Sequence, residues 1–133
     1  MVSNLQIKQS QQEARVSVTV FELDGDLDAS NYEQFLKKSL EAVEMGARYV
    51  LLNLSQLKYV SSAGLRAIYT LEIALNDKGK MPAGDSNVNP GSSKSPYLKL
   101  YKPTPNVSNA LDMMGFNMSM EIYNDINEAL ASF

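Results

Sequence analysis

The sequence predicts an α/β domain with a mixed central sheet of about five strands and about four helices, in the order β-β-α-β-α-β-α-β-α. Three observations carry this. Segments that alternate at period two, or form short apolar runs, are interleaved with segments whose apolar residues recur at helical spacing. That is the pattern of a layered α/β fold with right-handed crossovers. The run Tyr49-Val50-Leu51-Leu52 is wholly apolar, as a central strand buried on both faces must be. Two strand segments precede the first helix, so one neighbouring pair is antiparallel and the sheet is mixed. At 133 residues, 44% hydrophobic and 20% charged, the chain is expected to form one ordered domain over residues 1–133.

Taken in order, Val2 to Lys8 reads as a short edge strand with Leu5 and Ile7 inward, and Gln9 to Glu13 as a polar turn. Val16, Val18 and Val20 alternate with Ser17 and Thr19, the mark of a half-buried strand. That strand runs to an acidic corner, Asp24-Gly25-Asp26-Leu27-Asp28. Ser30-Asn31-Tyr32-Glu33 has the form of a capping box. Tyr32, Phe35, Leu36, Leu40 and Val43 form the inward stripe of the helix that follows, and Gly46 is its natural stop. Arg48 to Leu54 is the buried strand. A polar crossing leads to Ser61-Ser62-Ala63-Gly64, and a helix runs from about Ala63 to Asn76, ending near Gly79.

Residues 80–96 are rich in Gly, Pro, Ser and Asn and are expected to form a mobile surface loop. Tyr97 to Tyr101 resumes as a strand. Thr104-Pro105 supplies the N-cap and first turn of a helix that buries Val107, Ala110, Leu111 and Met114 and stops at Gly115. Phe116 to Tyr123 contains a last strand, and Asp125 caps a final helix. Met113, Met114, Met118 and Met120 are read as core and core edge.

The residue inventory narrows the chemistry. There is no His and no Cys, which removes histidine acid–base chemistry, the Ser-His-Asp arrangement and ordinary zinc sites. A net charge of -3 gives no basic field for nucleic acid. No apolar run spans a bilayer, no signal peptide opens the chain, and the absence of cysteine fits a cytoplasmic protein. Asp24, Asp26 and Asp28 mimic the first positions of a calcium loop. However, Ala29 stands where that loop needs Gly, and Phe35 where it needs a bidentate Glu. No metal or cofactor is expected.

The chemistry-bearing stretch is the strand–turn–helix around the serines. A hydroxyl at a helix N-terminus faces unpaired N–H groups and the positive end of the dipole, which favour an anion. Only one of the two serines can occupy the N-cap position, leaving the other exposed. Catalysis by a serine nucleophile is disfavoured. The first Gly of a nucleophile elbow is missing, and nothing assembles around a Ser–Lys pairing with Lys58.

Leu54-Ser55-Gln56-Leu57-Lys58-Tyr59-Val60-Ser61-Ser62-Ala63-Gly64-Leu65-Arg66 resembles the signature of the STAS domain family, and of its anti-sigma factor antagonists in particular. Gly25-Asp26-Leu27-Asp28-Ala29 resembles that family's turn before the first helix. The resemblance implies a regulatory, non-enzymatic protein. It would bind an anti-sigma factor that is also a Ser/Thr kinase, be phosphorylated on Ser62 (Ser61 as second choice), and be reset by a PP2C-type phosphatase. The implied partner-binding face comprises Asp26, Asp28, Ser61, Ser62, Gly64 and Arg66. Antagonists often carry Asp where this chain has Ser61, and they usually cross the 80–96 region with a tight turn. The alternative is a STAS module that does not switch: a docking subunit of another regulatory or transport complex, or a small-anion-binding domain.

Overall fold

The computed structural model describes residues 4–79 and 94–133. Its strands are β1 (Leu5–Glu13), β2 (Ser17–Leu27), β3 (Val50–Val60), β4 (Leu98–Tyr101) and β5 (Glu121–Tyr123). Its helices are α1 (Tyr32–Glu44), α2 (Ser62–Gly79), α3 (Pro105–Met113), α4 (Phe116–Ser119) and α5 (Ile126–Ala131). The sheet order follows the chain, β1-β2-β3-β4-β5. The β1–β2 pair is antiparallel and every other pair is parallel, which is the mixed sheet expected.

Four differences from the sequence reading follow, the first three from backbone pairing overriding side-chain pattern. Gln9 to Glu13 is not a turn. It continues β1, pairing residue by residue with Phe21 back to Ser17. An edge strand exposed on both sides needs no apolar alternation, so its polar half carried no strand signal. The acidic corner belongs to β2, which reaches Leu27 through register shifts between Glu22 and Asp24 and between Gly25 and Asp26. The polar crossing Ser55–Lys58 lies inside β3, paired with that extension. Between Gly115 and β5 the chain inserts the short α4, which brings the helix count to five among the described residues.

One face of the sheet packs its main core against the helices. Phe21, Leu23, Leu27, Leu52, Leu54 and Leu57 meet Phe35 of α1, Ile68, Leu71 and Leu75 of α2, and Val107 and Leu111 of α3. The α1 stripe runs as expected. Phe35 and Val43 are buried, and Tyr32, Leu36 and Leu40 pack at the edge of the core. Burying a Leu or Phe side chain is worth about 1.5–3 kcal/mol, so this face supplies most of the stability. The opposite face is thinner: Val18, Val20 and Leu51 are covered by Ala129, Ile126 and Leu130 of α5.

Lys99 of β4 pins that cover. Its Nζ donates to the Ser132 carbonyl at 2.9 Å and hydroxyl at 3.0 Å, pairs with Glu121 at 3.2 Å, and sits 4.8 Å from the Phe133 ring centroid. For Glu121, burial pushes the carboxyl up. Hydrogen bonds from Tyr123 and Lys99, with the Lys99 charge, outweigh it and leave the group below its usual value.

Helix ends follow the sequence in part. Asp125 caps α5, its Oδ1 accepting from Asn127 and Glu128 N–H at 2.9 and 3.0 Å. Thr104 precedes Pro105 at the N-cap of α3 as expected. Its hydroxyl, however, donates to the Leu57 carbonyl at 2.8 Å, tying α3 to β3 rather than capping it. The expected loop at 80–96 lies mostly outside the described residues. Its last part is ordered: Ser95 is buried, its N–H donating to the Ser119 carbonyl and its hydroxyl to Asn76 Oδ1, both at 2.9 Å.

Candidate functional site

The site lies at the C-terminal ends of β2 and β3, where the two long parallel strands stop together. Asp26 pairs with Tyr59 and Leu27 with Val60, and the Ser61 N–H donates to the Leu27 carbonyl at 2.9 Å. The acidic turn after β2 and the serine turn after β3 are thereby held side by side.

The two serines divide their work. The Ser61 carbonyl accepts from Leu65 N–H at 2.9 Å, and its hydroxyl accepts from Gly64 N–H at 3.2 Å. These are the two bonds that define an N-cap. Ser62 is the first residue of α2 and is exposed, and its hydroxyl makes no hydrogen bond among the described residues. The first turn of α2 carries no acidic side chain, so its dipole end is unneutralised by the helix itself.

Gly64 is buried, and its contribution to the face is proximity rather than contact. A Cβ there would lie 2.7 Å from the Leu27 carbonyl oxygen and 2.9 Å from both Leu27 Cγ and Val60 Cγ2. Only glycine lets α2 start this close to β2 and β3.

The acidic turn is built around Asn31, the buried N-cap residue of α1. Its Oδ1 accepts from Asp28 N–H and its Nδ2 donates to the Asp26 carbonyl, both at 2.9 Å. Ser30 does not form the expected capping box. It donates to Asp28 Oδ1 through its N–H at 2.9 Å and its hydroxyl at 2.6 Å. An Asx turn satisfies Ser30 locally, leaving α1 to begin at Tyr32. The Asp28 carboxylate is thus partly committed, whereas that of Asp26 makes no hydrogen bond among the described residues. Gly25 precedes them at φ +109°, its Cα against the Asn4 carbonyl, and the Asp26 N–H donates to that same carbonyl at 3.1 Å.

On the other side of Ser62 lies a feature that sequence reasoning placed in the core. A cleft of about 250 Å³ opens between α2 and α4, lined by Ser62, Leu65, Arg66, Tyr69, Met114 and Phe116. Met120 is buried, but Met113, Met114 and Met118 are 86%, 57% and 78% exposed, and Tyr69, which shares the cleft with Met114, is 48% exposed. The methionines were misassigned because the Gly115 break, with φ +75°, and the four-residue α4 turn them outward. A flexible, polarisable methionine, Met114, beside the Tyr69 ring makes part of this apolar surface adaptable in shape. Arg66 stands on the rim, one helical turn beyond Ser62 and exposed.

The predicted residues Asp26, Asp28, Ser61, Ser62, Gly64 and Arg66 are therefore all gathered at one end of the sheet. The architecture is that of a small mixed-sheet α/β domain bearing an exposed serine at a strand-to-helix turn. Residues 9–80, more than half of the chain, match the STAS domain family, and the chain belongs to it. No curated protein matches the sequence.

Among solved structures the fold is similar to the anti-sigma factor antagonist SpoIIAA in its unphosphorylated form, with 21% identity and a TM-score of 0.67. That match covers 94% of this chain and 91% of SpoIIAA. An anti-sigma factor antagonist from Mycobacterium paratuberculosis matches at 14% identity and TM-score 0.70, over 96% and 93% of the two chains. A sulfate transporter family protein from Wolinella succinogenes matches at 18% identity and TM-score 0.63, over 86% and 82%. At such identities the likeness is one of fold. Among the described residues, no helix is long and apolar enough to cross a membrane.

Proposed function

We propose that this protein is an anti-sigma factor antagonist: a cytoplasmic, non-enzymatic switch that binds an anti-sigma Ser/Thr kinase and lets go once that kinase phosphorylates Ser62. A PP2C-type phosphatase reverses the change. The observation that carries the reading is the division between the serines. Ser61 spends its hydroxyl on the cap of α2, and Ser62 presents an unengaged hydroxyl on the surface.

The physics of the switch follows from that placement. A phosphate brings about 1.5–2 negative charges at neutral pH. At the first residue of the 18-residue α2, the helix N-terminus accommodates them, so the fold is spared. The same charges fall beside Asp26 and Asp28 and on the rim of the apolar cleft, making that face acidic and costly to desolvate. Arg66, at the i+4 position, is drawn toward the phosphate and away from any carboxylate on the partner. Affinity falls and stability does not.

The second reading is a STAS module that docks or binds a small anion without switching. The likeness to a sulfate transporter family protein favours it, as does Ser61 where antagonists often carry Asp. Intact-mass spectrometry after incubation with ATP and the candidate kinase separates the two. One added phosphate, absent only in Ser62→Ala and followed by loss of kinase binding, is the expected result. A phosphate absent only in Ser61→Ala reassigns the residue. A kinase that binds the protein and adds nothing overturns the switch.

A further inference from the structure

Asn31 stands at the N-cap of α1, yet its side chain makes no cap hydrogen bond. Asn is favoured at that position because its side-chain oxygen can accept from an N–H of the first helical turn. Here the amide turns the other way, into the acidic turn, and the residue is only 4% exposed. Both of its ends are used there: Oδ1 accepts from Asp28 N–H and Nδ2 donates to the Asp26 carbonyl. Those partners settle which end is which, since an N–H only donates and a carbonyl only accepts.

The sheet explains the detour. On the β1 side of β2, the Asp26 N–H reaches the Asn4 carbonyl, one residue outside β1. Among the described residues, no backbone group from that side goes on to meet the Asp26 carbonyl or the Asp28 N–H. The Asn31 amide takes the place of a peptide group, offering one donor and one acceptor to the two backbone groups that flank Leu27. An ionised Asp has no donor for this bridge, and the hydroxyl of Ser stops one bond short of it. The serine turn is fixed separately, by the bond from Ser61 N–H to the Leu27 carbonyl and by the close seating of Gly64. What Asn31 sets is where Asp26 and Asp28 stand relative to Ser62.

We propose that Asn31 is a positioning residue for partner recognition: its amide holds the acidic turn in the one arrangement with Ser62 on which the kinase docks. The proposal rests on the reading of the protein as an anti-sigma factor antagonist. Asn31 is buried and acts through the backbone of Asp26 and Asp28, not by touching the partner. Because Ser62 is placed independently, losing the bridge weakens docking and leaves phosphate transfer as it was.

Steady-state phosphorylation by the candidate kinase with ATP, the full chain being the varied substrate, tests this. Asn31→Ser and Asn31→Asp both remove the bridge and keep a preferred N-cap residue. Lys99→Ala, a destabilising change under α5 on the opposite face, is the control. The expected result is a KM raised about tenfold or more in both Asn31 variants with kcat near the parent's, as for lost binding rather than lost chemistry. Should Asn31→Asp, with a carboxylate buried against the Asp26 carbonyl, fail to fold by circular dichroism, Asn31→Ser carries the test alone. In Asn31→Ser, amide exchange should quicken at Asp28 and stay at the parent's rate at Gln34 and Phe35, in the first turn of α1. A KM equal to the parent's, or raised no further than Lys99→Ala raises it, overturns the proposal and leaves the antagonist reading standing. Exchange that quickens at Gln34 and Phe35 rather than Asp28 also overturns it, because Asn31 then serves the helix. A kinase that binds the parent chain and adds no phosphate sinks the antagonist reading, and this inference with it.

Discussion

Replacing each serine of the site separately by alanine probes the division between cap and exposed hydroxyl. Ser61→Ala removes the acceptor of the Gly64 N–H, and Gly64 is buried, so that donor loses its partner in a place water reaches poorly. Loss of a Ser N-cap costs about 0.5–2 kcal/mol. The burial of the orphaned N–H pushes the cost up the range. The 3.2 Å length of the bond and the half-buried Ser61 push it down, leaving about 1 kcal/mol. For a domain of this size that lowers the melting temperature by about 3–5 °C.

Ser62→Ala breaks no hydrogen bond among the described residues and installs a better helix former at the start of α2. Its melting temperature should match the parent or exceed it by less than about 2 °C. Differential scanning calorimetry of the two variants and the parent, in one buffer, measures the difference directly. If Ser62→Ala is the costlier change, or the two are equal, the cap assignment is wrong and so is the argument that frees Ser62 for modification.

Gly64→Ala trades a helix-propensity gain of up to about 1 kcal/mol against contacts of 2.7 and 2.9 Å with backbone and packed side chains, so it should lose about 1–2 kcal/mol net, read from the urea midpoint. Lys99→Ala leaves a cavity and strips Ser132 and Glu121 of their donor, costing about 2–3 kcal/mol and speeding hydrogen exchange in α5 ahead of α2. Burial raises the carboxyl pKa of Glu72, so its ionised form is disfavoured in the fold. The penalty sets in as pH rises through the folded value, and Glu72→Gln should raise the melting temperature at neutral pH but not well below the ordinary carboxylate range. Glu121 is lowered and has the opposite sign. Its stabilisation is present above the ordinary value and is lost as pH falls through the folded one, so Glu121→Gln should weaken the protein at neutral pH and converge with the parent in acid.

The parts of this fold that were legible in the sequence are those where side-chain burial itself sets the pattern. The run Val50 to Leu52 is buried on both faces, the α1 stripe meets the core, and Gly46 and Gly115 end their helices with positive φ. The parts that were not legible are set by the backbone. Gln9 to Glu13 and Ser55 to Lys58 are strands because a neighbour offers hydrogen bonds, not because their side chains alternate. Within the site, the serine pair and the acidic turn were readable, but which serine caps required the bond from Gly64 to Ser61 Oγ. The cleft beside Ser62 was missed, since an apolar residue in sequence looks the same whether a four-residue helix turns it inward or out. Lys99 was missed as well, a single cation inside an otherwise strand-like segment whose partners arrive from β5 and the end of α5.

The close seating of Gly64 also governs how a message could leave this end of the molecule. With Leu27 and Val60 against its backbone, the first turn of α2 has no room to slide or tilt, and the packed interior behind it resists deformation. A chemical group added at Ser62 therefore has no lever into the sheet. Its information is legible only to something that touches the surface, like ink on a wall rather than a hand on a door. Two forms of the protein differing there should superimpose closely everywhere else, and under the proposed switch the readout sits in the partner.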